Sequence, residues 1–254
     1  MHPTIDLNLF ELPVYTALVM LGAGLGLFAA YTFLRVRSRR AASLPVFLDG
    51  ALIVFAAGWV GARAYHVAMH WDYYAARPEE IAQPGLGGLG IRGAFIAGFI
   101  ALAIYARARG LRFGKLADAA ALGLALGQAV GWVGALVQGA NYGVVSDSLI
   151  ALDQPDLYGL IAPRFPLQHV EIVLFASLFV GLFVLALQKP RAGTLFLVYL
   201  LVASAANFAL GFQRGDETAF VGALRADQVA DVALGILALA GWVRWAVQRE
   251  GNVG

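Results

Sequence analysis

Apolar residues run in seven long stretches along the chain, at roughly 13–34, 46–70, 91–108, 116–137, 168–188, 192–212 and 229–247. Each has the length, about 20 residues, that a helix needs to cross a hydrocarbon layer roughly 30 Å thick. The polar residues between them alternate in kind. Arg35, Arg37, Arg39 and Arg40 follow the first stretch, Arg107, Arg109, Arg112 and Lys115 the third, Lys189 and Arg191 the fifth, and Arg244 and Arg249 close the seventh. The opposite loops hold Arg77, Arg164, Arg214 and Arg225 among most of the acids. Basic loops stay on the cytoplasmic side. The pattern therefore predicts an all-α, polytopic membrane helix bundle of about seven transmembrane helices, with the N-terminus outside and the C-terminus cytoplasmic. Residues 1–12 carry Asp6 and Glu11 and no basic residue, so the first span reads as an anchor and not as a cleaved signal.

Composition agrees. The chain is 60% hydrophobic and 13% charged, with a mean hydropathy of +0.74, which excludes an ordinary soluble domain. Spans this close together leave room for a single transmembrane domain over 1–254, with outside loops at 71–90, 138–167 and 213–228. The pI near 9.0 points away from nucleic acid once the basic residues are seen to sit in short runs between spans. The absence of cysteine removes disulfides, thiolate metal sites and a thiol nucleophile of the chain's own. No metal or cofactor is expected.

Inside the spans, Gly123, Gly127 and Gly131 recur every fourth residue, as do Gly22 and Gly26. Small residues on one face let helix backbones approach closely in lipid. Ionisable and amide side chains gather near the predicted outer ends: Arg63 and His66 in the second span, Arg92 at the third, Gln168, His169 and Glu171 at the fifth, Asn207 and Arg214 around the end of the sixth, and Gln228 and Asp231 at the seventh. Such groups at membrane depth mark functional sites, and a guanidinium fork suits the phosphate of an anionic lipid. The plainer alternative is that the arginines snorkel to the interface, or that Arg63 pairs with Glu171 to tie two helices. Asp49 and Asp118, at the inner ends, read as helix caps or loop contacts.

In order along the chain, several stretches resemble the signatures of the prolipoprotein diacylglyceryl transferase family. Tyr15 falls where the family has Trp-Tyr-Gly-Leu; Gly61-Ala62-Arg63 is similar to its Gly-Gly-Arg element; Gly87-Gly88-Leu89-Gly90-Ile91-Arg92-Gly93-Ala94 is similar to its Gly-Gly-x-x-x-His-Gly-Gly loop. Leu116-Ala117-Asp118 matches the stretch before its fourth span. Gly134 to Gly143 follows the spacing of its Arg-x-Gly-Asn-Phe-x-Asn-Gly-Glu-x-x-Gly signature, Arg164 to Glu171 its His-Pro-x-Gln-Leu-Tyr-Glu element, and Phe212 to Glu217 with Gln228 its closing motifs. The chain departs from the family at Arg92 (His in the family), Trp132 (Arg), Ala135 (Asn), Ala140 (Glu), and Ala203, Asn207 and Gly211 (Tyr, Arg and Glu).

The resemblance implies a bacterial inner-membrane enzyme that moves diacylglyceryl from phosphatidylglycerol to the cysteine of a lipoprotein precursor, releasing glycerol phosphate. The thiol must lose a proton, and the departing phosphate must be held. Arg92 cannot take the proton, because a guanidinium has no free lone pair at any relevant pH. The remaining candidates for the base are His66, His169 and Glu171, of which His66 or Glu171 is expected to be catalytic, with Tyr15, Arg63, Arg92, Gln168, Arg214 and Gln228 as substrate-binding residues. The alternative is a catalytically degenerate homologue, a lipid-binding or structural subunit partnered in a membrane complex. A transporter ranks last, since the sequence lacks paired broken helices at mid-span.

Overall fold

Helix α1 (Val14–Arg37) begins directly after Pro13, whose fixed φ suits a helix start, and ends with Arg35 and Arg37 in its last turn, where cations complement the helix dipole. The structure, a computed structural model, describes residues 4–6, 11–38, 40–83 and 88–250. Arg39, residues 84–87 and the side chains of Asp6, Glu11, Arg244 and Arg249, on which parts of the sequence reading rest, lie outside that description. After α1 come α2 (Leu44–Met69), the short α3 (Trp71–Ala75), α4 (Ile91–Ala108), α5 (Phe113–Gln138), α6 (Leu167–Leu187), α7 (Thr194–Gly211) and α8 (Ala226–Glu250). Among the described residues, seven helices are long and apolar enough to cross a membrane: α1, α2, α4, α5, α6, α7 and the Ala226–Val243 part of α8. The protein is a multi-pass membrane helix bundle. Every predicted span is present, with ends displaced by a few residues.

Among the described residues, three two-stranded antiparallel hairpins decorate the bundle: β1 (Thr4–Asp6) with β2 (Glu11–Pro13), β3 (Leu152–Pro155) with β4 (Ile161–Arg164), and β5 (Phe220–Val221) with β6 (Leu224–Arg225). In the second hairpin Leu152 faces Arg164 and Pro155 faces Ile161. It fills the 138–167 loop and closes over the end of α5, where Gly139 takes the left-handed conformation (φ 70) that ends the helix.

Helix α5 is the axis, packed against α1, α6, α7 and α4. Its buried face, Ala121, Leu122, Ala125 and Ala129, meets Phe175, Leu178 and Leu182 of α6 and Leu195, Tyr199 and Ala203 of α7. The glycine rows found in the sequence explain the closest contact. A Cβ on Gly26 would come 2.5 Å from the Gly123 oxygen, and one on Gly22 would come 2.7 Å from the Gly127 oxygen. Only glycine permits that approach, which exchanges side-chain bulk for backbone packing. Gly61 and Gly93 make the equivalent seam between α2 and α4. The outward faces stay apolar, as at Phe28, Leu52 and Val60, each at least 66% exposed, which is the surface a bilayer would cover.

The helices alternate direction, so one end of the bundle gathers the basic loops and the other the hairpins and polar cluster. At the basic end Asp118 accepts from the backbone N–H groups of Gly193 (2.8 Å) and Phe196 (3.0 Å), capping α7, and exposed Asp49 pairs with Arg109 at 2.7 Å. Both acids do what the sequence reading gave them.

Candidate active site

At the other end, α4, α8 and the α7–α8 connection bring three arginines and three aspartates into one chain of contacts. Asp227 and Asp231 are four residues apart at the start of α8 and so share a helix face. Both reach Arg92 at the start of α4: its Nη2 lies 2.9 Å from Asp231 Oδ2 and its Nε 3.8 Å from Asp227 Oδ1. Asp227 also lies 3.8 Å from Nη1 of Arg214. Arg214 donates from Nε and Nη2 to the two oxygens of Asp216 (2.9 and 2.6 Å) and from Nη2 to Asn141 Oδ1 (2.9 Å). Arg225 completes the row, donating to the side chain of Asp216 at 3.3 Å and to its backbone carbonyl at 3.0 Å. Burial opposes the charge on Arg214, but the hydrogen bond to Asp216 and the surrounding carboxylates raise its pKa, so it is permanently cationic.

Beside this row stand two amides and a carboxyl. Gln228, 2% exposed, accepts from the Arg225 N–H and donates to the Phe208 carbonyl, both at 3.0 Å. It lies across Gly211, where a Cβ would come 2.6 Å from its Cγ, so the glycine is what lets it sit there. Gln168 and Glu171, one turn apart on α6, are 1% and 3% exposed. Gln168 donates to the Ala140 carbonyl at 3.1 Å. Among the described residues, Gln168 Oε1 and Glu171 Oε2 are buried without a hydrogen-bond partner. Buried polar atoms are normally paired, so each such orphan in a native site calls for a reason. The charges that act on Glu171 are those of Arg214, Arg92 and Asp231.

Of the sequence-predicted site residues, Arg92, Arg214, Gln228, Gln168 and Glu171 therefore share one neighbourhood. The other three are elsewhere. Arg63 is buried, and its guanidinium donates to the backbone carbonyls of Ile81 (2.9 Å), Gly88 (3.1 Å), Glu80 (2.6 Å) and Gln83 (3.3 Å) while lying over the Tyr74 ring. The suggested Arg63–Glu171 pair is thus not the contact formed: the carbonyls of the 71–90 loop hold the guanidinium. His66 stacks on His70, ring centroids 4.3 Å apart, with Tyr74 at its edge. Tyr15, 37% exposed, packs over Gly134 of α5. On α2 it is Tyr65, next to His66, that feels the charges of Arg92, Asp227 and Asp231.

Sequence reasoning missed Asp216 and Asp227 as partners of the arginines, and missed Arg225. The signal was present in the i, i+4 spacing of Asp227 and Asp231 at the head of an apolar span. A second ionic pair, Arg164 with Asp156 at 3.0 Å, fixes the β3–β4 hairpin beside the site, and Gln154 bonds His169 Nδ1 at 3.1 Å.

Fold and site together define a class: a seven-span helical membrane protein with an ionic site buried at one end of the bundle. The comparison with known proteins then makes the family plain. The family model described as prolipoprotein diacylglyceryl transferase matches residues 3–244, and the chain belongs to that family. It is 35% identical over 251 residues, 93% of this chain and 90% of the relative, to the phosphatidylglycerol–prolipoprotein diacylglyceryl transferase of Geobacillus kaustophilus. Proteins of the same name are 34% identical in Bacillus licheniformis, over 89% of this chain and 85% of the relative, and 34% identical in Bacillus cereus, over 92% and 89%.

Proposed function

We propose that the protein is a phosphatidylglycerol–prolipoprotein diacylglyceryl transferase of divergent site chemistry, seated in the bacterial inner membrane with the polar cluster outside and the basic loops in the cytoplasm. The observation that carries this reading is the buried, unpartnered Oε2 of Glu171 beside Arg92 and Arg214, in a chain that matches the family over almost its whole length. A carboxylate with an unused lone pair is a base waiting for a donor, and the neighbouring guanidiniums supply charge for a leaving phosphate.

In the proposed reaction the precursor thiol gives its proton to the Glu171 carboxylate. The sulfur attacks the glyceryl carbon of phosphatidylglycerol, and a C–S bond forms as the C–O bond to phosphate breaks. Glycerol phosphate leaves with the electron pair, its growing charge met by Arg92 and Arg214. Gln168 and Gln228 orient the headgroup. Arg63 acts at a distance, through the backbone carbonyls of Glu80, Ile81, Gln83 and Gly88 that it holds.

The test is transfer itself. The purified chain, reconstituted with phosphatidylglycerol and a peptide carrying the precursor cysteine, is expected to yield the thioether-linked product by mass spectrometry. Glu171→Gln should lower the rate about 10²–10⁴-fold, the usual worth of a positioned base. Arg92→Gln should cost about 10²-fold or more. An inert wild-type protein sinks the proposal.

One observation favours a second reading. Every arginine of the cluster is already paired with aspartate, and Trp132, Ala135, Ala140, Ala203 and Gly211 leave apolar or small side chains where the family carries polar ones. A homologue that binds lipid for a membrane-complex partner without turnover would look like this. Copurified phosphatidylglycerol without product selects it.

A further inference from the structure

At the opposite end of the bundle, between the foot of α1, the start of α5 and the α6–α7 turn, lies an open cavity of about 430 Å³. Arg37, Arg112, Lys115 and Lys189 line it, with Asp118 as the one carboxylate. Lys115 and Lys189 are the only lysines in the chain. Asp118 is occupied in capping α7. Arg37 donates to the Pro190 carbonyl (2.8 Å) and Lys115 to the Arg37 carbonyl (2.7 Å), bonds that fix both side chains without neutralising them. Among the described residues, no carboxylate comes within ion-pairing distance of any of the four cations. The cavity therefore holds three more positive charges than negative ones, on side chains drawn from three separate segments. Phe33 and Val36 give it an apolar wall on the side of α1.

Topology alone asks only that basic residues flank the spans. It does not ask that they converge on a hollow, or that two be fixed by hydrogen bonds to neutral carbonyls. We infer that this cavity is a second binding site, for a phosphate group, separate from the candidate active site. The point charges of lysine and the forks of arginine match phosphate oxygens, and basic pockets between spans at a cytoplasmic face take lipid headgroups. The phosphate comes from an anionic phospholipid of the adjoining leaflet or from a soluble phosphorylated compound; the chemistry is the same, and the source is what the experiment separates.

The two lysines are the reporters. The full chain is placed in phosphatidylcholine nanodiscs, in nanodiscs that also contain phosphatidylglycerol, and in phosphatidylcholine nanodiscs with millimolar inorganic phosphate. Acylation of Lys115 and Lys189 by an uncharged amine reagent is then followed by mass spectrometry. The expected result is slowing of both by about fivefold where phosphate is bound. Protection by phosphatidylglycerol alone identifies the lipid; protection by inorganic phosphate identifies a soluble ligand. Arg112→Gln, an exposed change that leaves the hydrogen bonds of Arg37 and Lys115 untouched, should remove most of the protection. A bilayer's general surface potential would survive that substitution. Protection in neither arm, or protection undiminished in Arg112→Gln, overturns the site.

Discussion

The two ends of this bundle both gather cations and, at the two sites described above, treat them in opposite ways. At the cluster end, Arg225 is buried, Arg92 and Arg214 are largely covered, and each meets an aspartate, with Asp227 bridging Arg92 and Arg214. At the basic end, Arg37, Arg112, Lys115 and Lys189 surround a hollow whose one aspartate, Asp118, is taken up in capping α7 and ion-pairs with none of them. Burial accounts for the difference. A guanidinium taken out of water must find its counter-charge within the fold, because the desolvation cost of a lone ion exceeds what packing can return. A half-exposed cation at a helix end stays hydrated and can wait for a ligand. Compensated charge fixes a geometry; uncompensated charge recruits.

The comparison breaks first at Asp231. Asp231→Ala leaves the largely covered Arg92 with only its longer contact to Asp227 (3.8 Å), and should lower stability by up to about 3–5 kcal/mol, measured by reversible unfolding in mixed micelles. Arg112→Gln at the other end should change it by no more than about 0.5 kcal/mol; equal losses would mean that the two ends are built alike. A smaller effect sharpens the role of the scaffold. Gly26→Leu forces side-chain bulk into the seam with Gly123 and should cost about 1–3 kcal/mol, whereas the same change at Gly24, which has open space around it, should cost little. Smaller still is Arg109→Ala, which removes the exposed pair with Asp49 and should cost less than about 1 kcal/mol. The last is a titration. The Tyr73 hydroxyl donates to Glu80 Oε2 at 2.7 Å, and that bond raises its pKa. Whatever this contact adds to loop order is fully present below the ordinary tyrosine range near 10 and is lost as pH rises through the higher folded value. Ultraviolet difference spectra of the wild type and Glu80→Gln should differ by one phenol, which titrates earlier in the variant.

Much of this was legible in the sequence. The seven spans follow from apolar length, and the bundle's two unlike ends from where the arginines fall; the spacing of Gly22, Gly26, Gly123 and Gly127 anticipated the tightest seam. Asp118, read as a helix cap or a loop contact, is a cap, since an acid near a turn has few other uses. The role of Arg63 was not legible, because its partners are carbonyls, which every residue carries and no letter of the sequence advertises. The pairing of Arg214 with Asp216 was hidden in a different way: neighbours two residues apart meet only if the chain turns there, and here the bridge between Gly143 and Arg214 supplies that turn. The short α3 and the β3–β4 hairpin were missed because pieces of three to five residues leave no periodicity to detect.

The α1–α5 seam has a consequence for biogenesis. Gly26 and Gly123 are separated by two complete spans, so α1 enters the bilayer long before its closest neighbour has been translated. Its glycine-lined stripe must meanwhile face acyl chains, which it can do because the stripe exposes no side-chain polar group to be satisfied. The cell's insertion machinery can therefore release α1 early and leave the pairing to lateral diffusion, with the late arrival of α5 as the event that assembles the rest.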